Sequence, residues 1–340
     1  MNKRTIASLI VIACVFSTGL ALGHRLVARQ QTNGAGREAP ADQILNFLPV
    51  SDALVLVEVE RLLNEVLPRV FADDPAKLSQ ANAELEKFKA RTGIDPRSFD
   101  RVAVAMRYTY PAPNVTKVES VAIAHSSVSA EELLAAARVA AKSKYQEEKY
   151  RGVPLYIFSV NDQMKLLGLW SVNVRDVAVS PVDTNTLAVG DPTQVRLAID
   201  AGKGGKRVSN DLVTLATREP NAIIGFGSNV SRRMLDDLGV GDDANISAIR
   251  QVYGSLGTSA SDLSLLVVAR TVNAQQAKNL VDTAEGLKQI GAALIARMPP
   301  EKKKLAQSAL DNMKIRSAGN ELQITTQVAE ADIAPLMHAF

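Results

Sequence analysis

The side chains best able to do chemistry in this chain are few and scattered. Histidine occurs three times in 340 residues, as His24, His125 and His338, and Cys14 is the one cysteine. A metal centre built on imidazole needs ligands at spacings such as HxxxH or HxxEH, and neither His125 nor His338 has a His, Cys or carboxylate so placed. With its cysteine near the N-terminus, the rest of the chain has no thiolate nucleophile, no thiolate metal ligand and no disulfide. A hydrolase of the nucleophile-elbow type would show GxSxG. The nearest stretches, Gly225-Phe226-Gly227-Ser228 and Gly254-Ser255-Leu256-Gly257, do not fit. Ala201 to Arg207 (AGKGGKR) mixes glycine and lysine as phosphate loops do, but it lacks the GxxxxGK[ST] register and follows a helix where a phosphate cradle precedes one. It reads as a helix stop and a solvated basic turn. The pairs Asp73-Asp74, Glu147-Glu148, Asp236-Asp237 and Asp242-Asp243 fall in turns or on strands of alternating polarity, the pattern of solvated surface. Asp242-Asp243 also lacks the alternating oxygens of a calcium loop. No catalytic, cofactor-binding or metal-ligating residue is assigned, and no cofactor is expected.

The composition, 46% hydrophobic and 22% charged, is that of a folded chain. Its formal charge of +3 owes four cations to the first 29 residues, Lys3, Arg4, Arg25 and Arg29. The remainder is close to neutral and has no overall field to gather nucleic acid, so no nucleic-acid partner is expected. Lys3 and Arg4 precede an uncharged apolar run from Ile6 to Gly23, the pattern of an export signal. Three fates stay open. Ala21-Leu22-Gly23 is an acceptable cleavage site. The run also reaches the lower end of what spans a bilayer, leaving an inner-membrane anchor at residues 6–23. Val11-Ile12-Ala13-Cys14 loosely fits a lipidation motif. All three put the body outside the cytoplasm, in the periplasm or cell envelope. His24 to Pro40 has no apolar periodicity and reads as a flexible tether. Asn114, Asn229 and Asn245 begin glycosylation tripeptides, which matter only in a eukaryotic secretory pathway. The single tryptophan, Trp170, sits in a semi-apolar stretch and reads as a core residue.

The body carries an internal repeat. Without gaps, Glu119 to Ser129 (ESVAIAHSSVS) lies over Leu263 to Asn273 (LSLLVVARTVN), at an offset of 144. In that register His125 falls over Ala269, and Val121 and Ile123 fall over Leu265 and Val267. Each copy delivers the chain to a helix with a capping box, Ser129 with Glu132 and Asn273 with Gln276. Upstream, Ala53 to Val59 matches Ala222 to Ser228. Downstream, two hairpins match, turned at Gly152 and Gly319. The spacing predicts an α+β fold of two pseudo-repeats in split β-α-β, ferredoxin-like order, with mainly antiparallel sheets. The expected division is a signal or anchor at 1–23, a tether at 24–40, a first repeat at 41–160, a connecting hairpin and helix at 161–208 and a second repeat at 209–340. In the connector, Asp191 is read as an N-cap boxed with Gln194.

Three stretches, PVSDALVLVE at 49–58, GIDP at 93–96 and TLAVGDPTQVRLAID at 186–200, resemble an uncharacterised family of bacterial exported or membrane-anchored proteins of unknown function. The resemblance covers about residues 40–230 and implies an envelope location and this architecture. It brings no activity. The expectation is therefore a non-enzymatic envelope protein, a binding or scaffold module for an envelope macromolecule. The alternatives are an extracytoplasmic hydrolase and a carrier of an apolar ligand. Converging buried polar groups in a cleft would favour the hydrolase, a deep dry cavity the carrier, and an exposed apolar patch the binding module.

Overall fold

A computed structural model describes residues 43–329 except for 73, 113–114, 142–144, 160–162, 167–169, 174–175, 238, 259–261 and 297–299. The leader with Cys14, the tether, Asp73, Asn114 and His338 lie outside the described residues. So does the side chain of Trp170, although its backbone belongs to a strand.

The run ALVLVE at Ala53–Glu58 (β1) is apolar on both sides of its backbone, which suits a strand covered on both faces. It lies in the middle of a twelve-stranded sheet. A helical stretch over 59–70 (α1) and helix Pro75–Thr92 (α2) lead from it to β2 (Phe99–Ala112) and β3 (Val115–Ser126). Helix α3 (Ala130–Ala140) follows, then β4 (Tyr145–Tyr150), β5 (Val153–Ser159) and a separate small hairpin of β6 (Gln163–Leu166) and β7 (Trp170–Asn173). Next come β8 (Asp176–Asp183), β9 (Thr186–Gly190), α4 (Pro192–Gly202) and α5 (Asn210–Ala216). The second half holds β10 (Ala222–Asn229), α6 (Arg232–Asp237), β11 (Ile249–Thr258) and β12 (Asp262–Thr271). It ends with α7 (Ala274–Ile295), α8 (Pro300–Asp311), β13 (Lys314–Ala318) and β14 (Glu321–Ala329).

The fold is α+β and its strand pairings are antiparallel, but the ferredoxin-like order is not the one found. The sheet runs β13-β14-β12-β11-β10-β1-β2-β3-β9-β8-β5-β4. A split β-α-β unit would place a third strand between its first two. Here β1 pairs directly with β2, with Glu58 opposite Arg101 and ion-paired to it. The helical excursion between them returns the chain to the end of the sheet it left, so β1, β2 and β3 form a meander. Nor does each half have its own sheet, because β1 pairs with β10 and joins them. Outward from that seam both sides begin with three meander strands and end in a hairpin entered through a helix, the hairpin lying directly on β12 in the second half but two strands beyond β3 in the first. The connector departs from expectation too, since β9 and β8 sit within the sheet between β3 and β5.

One face of the sheet is covered by α4, α5 and the turn Ile44–Phe47, and its core includes Leu54, Ile123, Val195 and Leu212. Fully burying an aliphatic side chain such as Leu212 contributes about 1.5–3 kcal/mol. The opposite face carries α1, α3 and α7. Helix α5 lies so close on β10 that a Cβ at Gly225 would stand 2.0 Å from the Ala216 carbonyl oxygen, which accounts for the glycines in this strand.

These faces correct the register of the repeat. Ile123 packs with α4 and α5, whereas Val267 lies on the side of Ala269, which packs against α7. The residue that shares Ile123's face is Val268, packed on Leu215 of α5; the two are 0% and 1% exposed. Val267 is half-buried. The strands correspond with Ser126 over Thr271, both buried beneath the following helix. The caps still correspond as read, for Ser129 accepts from the Glu132 N–H and Asn273 from the Gln276 N–H. The loop from β3 to α3 is one residue longer than its counterpart, and an ungapped alignment pushes that residue into the strand. A slip of one exchanges the faces. The second half of the capping box in the later copy is unmade, because the buried Gln276 Oε1 has no partner among the described residues.

Asp191 stands at the N-cap of α4 without capping it. Its carboxylate instead accepts from the Ser120 N–H at 2.6 Å, tying the helix start to β3. Burial raises the pKa of Asp191, against the opposing pull of that bond. Gln194, also buried, donates to Glu119 at 3.2 Å.

Candidate functional site

The residues singled out by type do not converge. His125, near the end of β3, meets one carboxylate, Asp100 Oδ2, at 2.6 Å from Nδ1. In the corrected register its counterpart is Arg270 and not Ala269, so both copies place a polar side chain there. Asp74 caps α2 by accepting from the Lys77 N–H. Glu148 holds Arg196 at 2.6 Å, and Asp236 holds Arg232 at 3.0 Å. Asp237 accepts from Thr116, while Asp243 takes the Asn245 and Ile246 N–H groups. Among the described residues no three His, Cys, Asp or Glu side chains are grouped to hold a metal ion. The two glycine-serine stretches lie within β10 and β11, without a strand-to-helix elbow. Asn229 and Asn245 are both committed, to Gln251 and to Thr283.

A buried polar cluster missed by the sequence reading lies on the α5 side of the second half. Tyr253 on β11 is 0% exposed, and its hydroxyl donates to Glu321 Oε1 on β14 at 2.8 Å. The same oxygen accepts from Arg270 Nε and Nη2 on β12 at 3.2 and 3.1 Å, and from Arg218 Nη1 at 3.4 Å. Both guanidinium groups stack over the Tyr253 ring, 5.0 Å (Arg218) and 5.4 Å (Arg270) from its centroid. Arg270 also donates to Gln251, which donates in turn to Asp211 on α5. Burial and the neighbouring Glu321 carboxylate push the Tyr253 phenol up to about 12. Burial works against ionisation of Glu321, but bonds from Tyr253 and Arg270 and the Arg218 charge outweigh it and hold the carboxyl below its usual range. Neither group is poised to exchange a proton near neutrality, as acid/base work requires. The arrangement clamps three strands to a helix. Its sequence signal was charge, Arg270 after the apolar run of β12 and Glu321 at the start of β14.

The exposed feature with a bearing on binding is on α7. Leu287, Ile290 and Leu294 are 59%, 58% and 58% exposed and stand at i, i+3 and i+7, a seam along the helix. Around them the outward residues are Gly286, Gln289, Ala292 and Ala293, none charged. Lys288, the one cation among the described residues of this stretch of α7, is turned away and donates to the Met313 carbonyl at 2.7 Å. No helix among the described residues is long and apolar enough to cross a membrane.

No protein-family profile matches the chain, and no curated protein does. Among solved structures it is similar to crystal forms of TP0453, a Treponema protein. Crystal form III is 10% identical with a TM-score of 0.46, the match covering 87% of this chain and 98% of that one. Form IV is 12% identical with a TM-score of 0.46, covering 86% and 95%. Form I is 11% identical with a TM-score of 0.43, covering 87% and 96%. No residue role is carried over from them.

Proposed function

We propose that the protein is a non-enzymatic binding or scaffold protein of the bacterial cell envelope. In this reading its body lies outside the cytoplasm, led there by residues 1–23, and seats an apolar helix of a partner protein on the outer face of α7. The body is a duplicated unit whose first copy has acquired the 161–208 insertion. The carrying observation is the charge-free seam of Leu287, Ile290 and Leu294. Exposed apolar side chains at helical spacing favour a second helix laid alongside. The small residues beside them favour a close backbone approach, with nothing within 4 Å of a Cβ built at Gly286. A helix that lies on lipid needs a rim of lysine and arginine, and among the described residues none flanks this seam.

The test is a photo-crosslinking side chain at Ile290 in the full-length protein in cells. An adduct to a distinct envelope protein is expected, lost when Leu287 and Leu294 are both replaced by glutamate. Adducts to lipid alone, or to a second copy of the chain, would overturn this occupant. Envelope fractionation and the mass of the mature N-terminus test the location and separate the three leader outcomes.

A further inference from the structure

An open cleft of about 440 Å³ lies on the α4 side of the first half, away from the α7 seam, and cations outnumber anions in its lining. Arg107 comes from β2, Arg151 from the β4–β5 turn, and Gly205 and Lys206 from the glycine-lysine loop after α4. Pro49, Val50 and Leu197 supply an apolar wall. One carboxylate lines it, Asp200, already engaged by the Tyr150 hydroxyl at 3.0 Å and Arg151 Nη1 at 2.8 Å. Three cations against one anion leave two positive charges uncompensated within the lining. Lys206 makes no hydrogen bond or ion pair among the described residues, and Arg151 has guanidinium donors to spare beyond the one given to Asp200.

The turn that carries Arg151 supplies an independent observation. Arg151 has φ 47°, the one positive value at a non-glycine position among the described residues, and Gly152 follows at 85°. A two-residue hairpin with both φ positive is a type I′ turn, where asparagine or glycine is comfortable and arginine is strained. The strained backbone is held in place, for Lys203 Nζ donates to the Arg151 carbonyl at 2.5 Å. Strain of this kind persists where the side chain has a use. The glycine-lysine loop does stop its helix, as its sequence suggested, and it also walls a cavity with a charge and a shape.

We propose that this cleft binds a phosphate monoester, a dianion matched to the two uncompensated charges, borne on a compact apolar body that rests against Val50 and Leu197. Paired donors on arginine suit a tetrahedral anion. The same head group is available on a soluble metabolite or on a lipid, and the experiment separates the two. Calorimetric titration of the full chain with phenyl phosphate, and co-sedimentation with vesicles containing phosphatidic acid, are run in parallel, with benzoate as the monoanion of the same body.

Saturable binding of phenyl phosphate is expected, at least tenfold tighter than benzoate and weakened at least fivefold in Lys206→Ala and in Arg107→Ala. Binding confined to the vesicles, with the same dependence on Lys206 and Arg107, supports the site and assigns the head group to lipid. No saturable binding of either probe, or binding indifferent to both substitutions, overturns the proposal. Arg151→Asn gives the second readout. A ligand-binding arginine held under strain predicts weaker binding with a melting temperature unchanged or raised. A lowered melting temperature with binding intact would make Arg151 a structural residue and also overturn the proposal.

Discussion

Replacing Glu321 by alanine removes a single acceptor oxygen on which Tyr253, Arg270 and Arg218 converge. Its partners differ in how easily water can replace it. Arg218 is 43% exposed at its side chain and resolvates, so its bond contributes no more than a surface pair, about 0–1 kcal/mol. Arg270 is 27% exposed and keeps Gln251, but loses the bonds to its Nε and Nη2 atoms. The Tyr253 hydroxyl is left without its acceptor in a place water does not reach. Removing one partner of a buried pair costs about 3–5 kcal/mol. The remaining exposure puts this case at the low end, about 3 kcal/mol, and Arg218→Ala should cost under about 1 kcal/mol. Urea unfolding read from the midpoint at constant slope is the assay. The double variant Glu321→Ala, Arg270→Ala should fall short of the sum of the singles by at least about 1 kcal/mol. The folded-state pKa of Glu321 is depressed, so its contribution is present above the ordinary carboxylate range near 4.5 and is lost as pH falls through the lower folded value. Glu321→Gln should flatten that acid limb. If Glu321→Ala costs no more than Arg218→Ala, the cluster is a solvated ion pair and the reasoning fails.

Other outcomes follow from the same packing. Ile123→Asp should destabilise by on the order of 3–5 kcal/mol, whereas Val267→Asp should cost about 1–2 kcal/mol; equal losses in urea would restore the ungapped register. Gly225→Ala drives a methyl into a helix backbone and should cost about 1–3 kcal/mol, while Gly286→Ala, in open space within α7, should gain about 0.5–1 kcal/mol by the same assay. The phenol of Tyr253 is raised in the fold, so its contribution is full below pH 10 and is lost as pH rises toward about 12. Tyrosinate absorbance during alkaline unfolding should show a component titrating toward about 12 that Tyr253→Phe removes.

What was legible in the chain was what neighbours in sequence decide. The helix starts at Ser129 and Asn273 are local bargains between a side chain and an N–H three residues on, and both formed. Asp191 looked like a third case, but Ser120, far off in sequence, offered its carboxylate an N–H the helix could not match. The strand order was illegible for the same reason, since nothing near β1 or β2 tells whether the helices between them cross the sheet or return. The one-residue slip escaped because Leu263 to Thr271 is apolar on both faces, so alternation could not mark which side faced α5. Tyr253, Arg270 and Glu321 meet only through strand pairing. The seam on α7 was invisible because leucines and isoleucines at i, i+3 and i+7 spell a core stripe equally well. The cleft was half visible: the AGKGGKR loop drew attention, but Arg107 and Arg151 join it only in three dimensions.

The pairing of β1 with β10 also sets a schedule for how the molecule can be completed. Val57 finds Ile224 as its partner, and everything between them is made first. Whether the chain emerges from a ribosome or through a membrane pore, the first half can assemble β1, β2, β3 and β9 while the outer side of β1 stays an open ladder of N–H and C=O groups. Apart from Glu58 at its end, which is paired to Arg101, β1 is apolar and has neither the charges nor the proline with which permanent edges are protected. Its vulnerability is therefore a matter of time, lasting until β10 arrives, and a chain cut short after Gly205 would keep a sticky edge for good. Full-length protein and its truncation products should then differ in aggregation far more than in secondary structure.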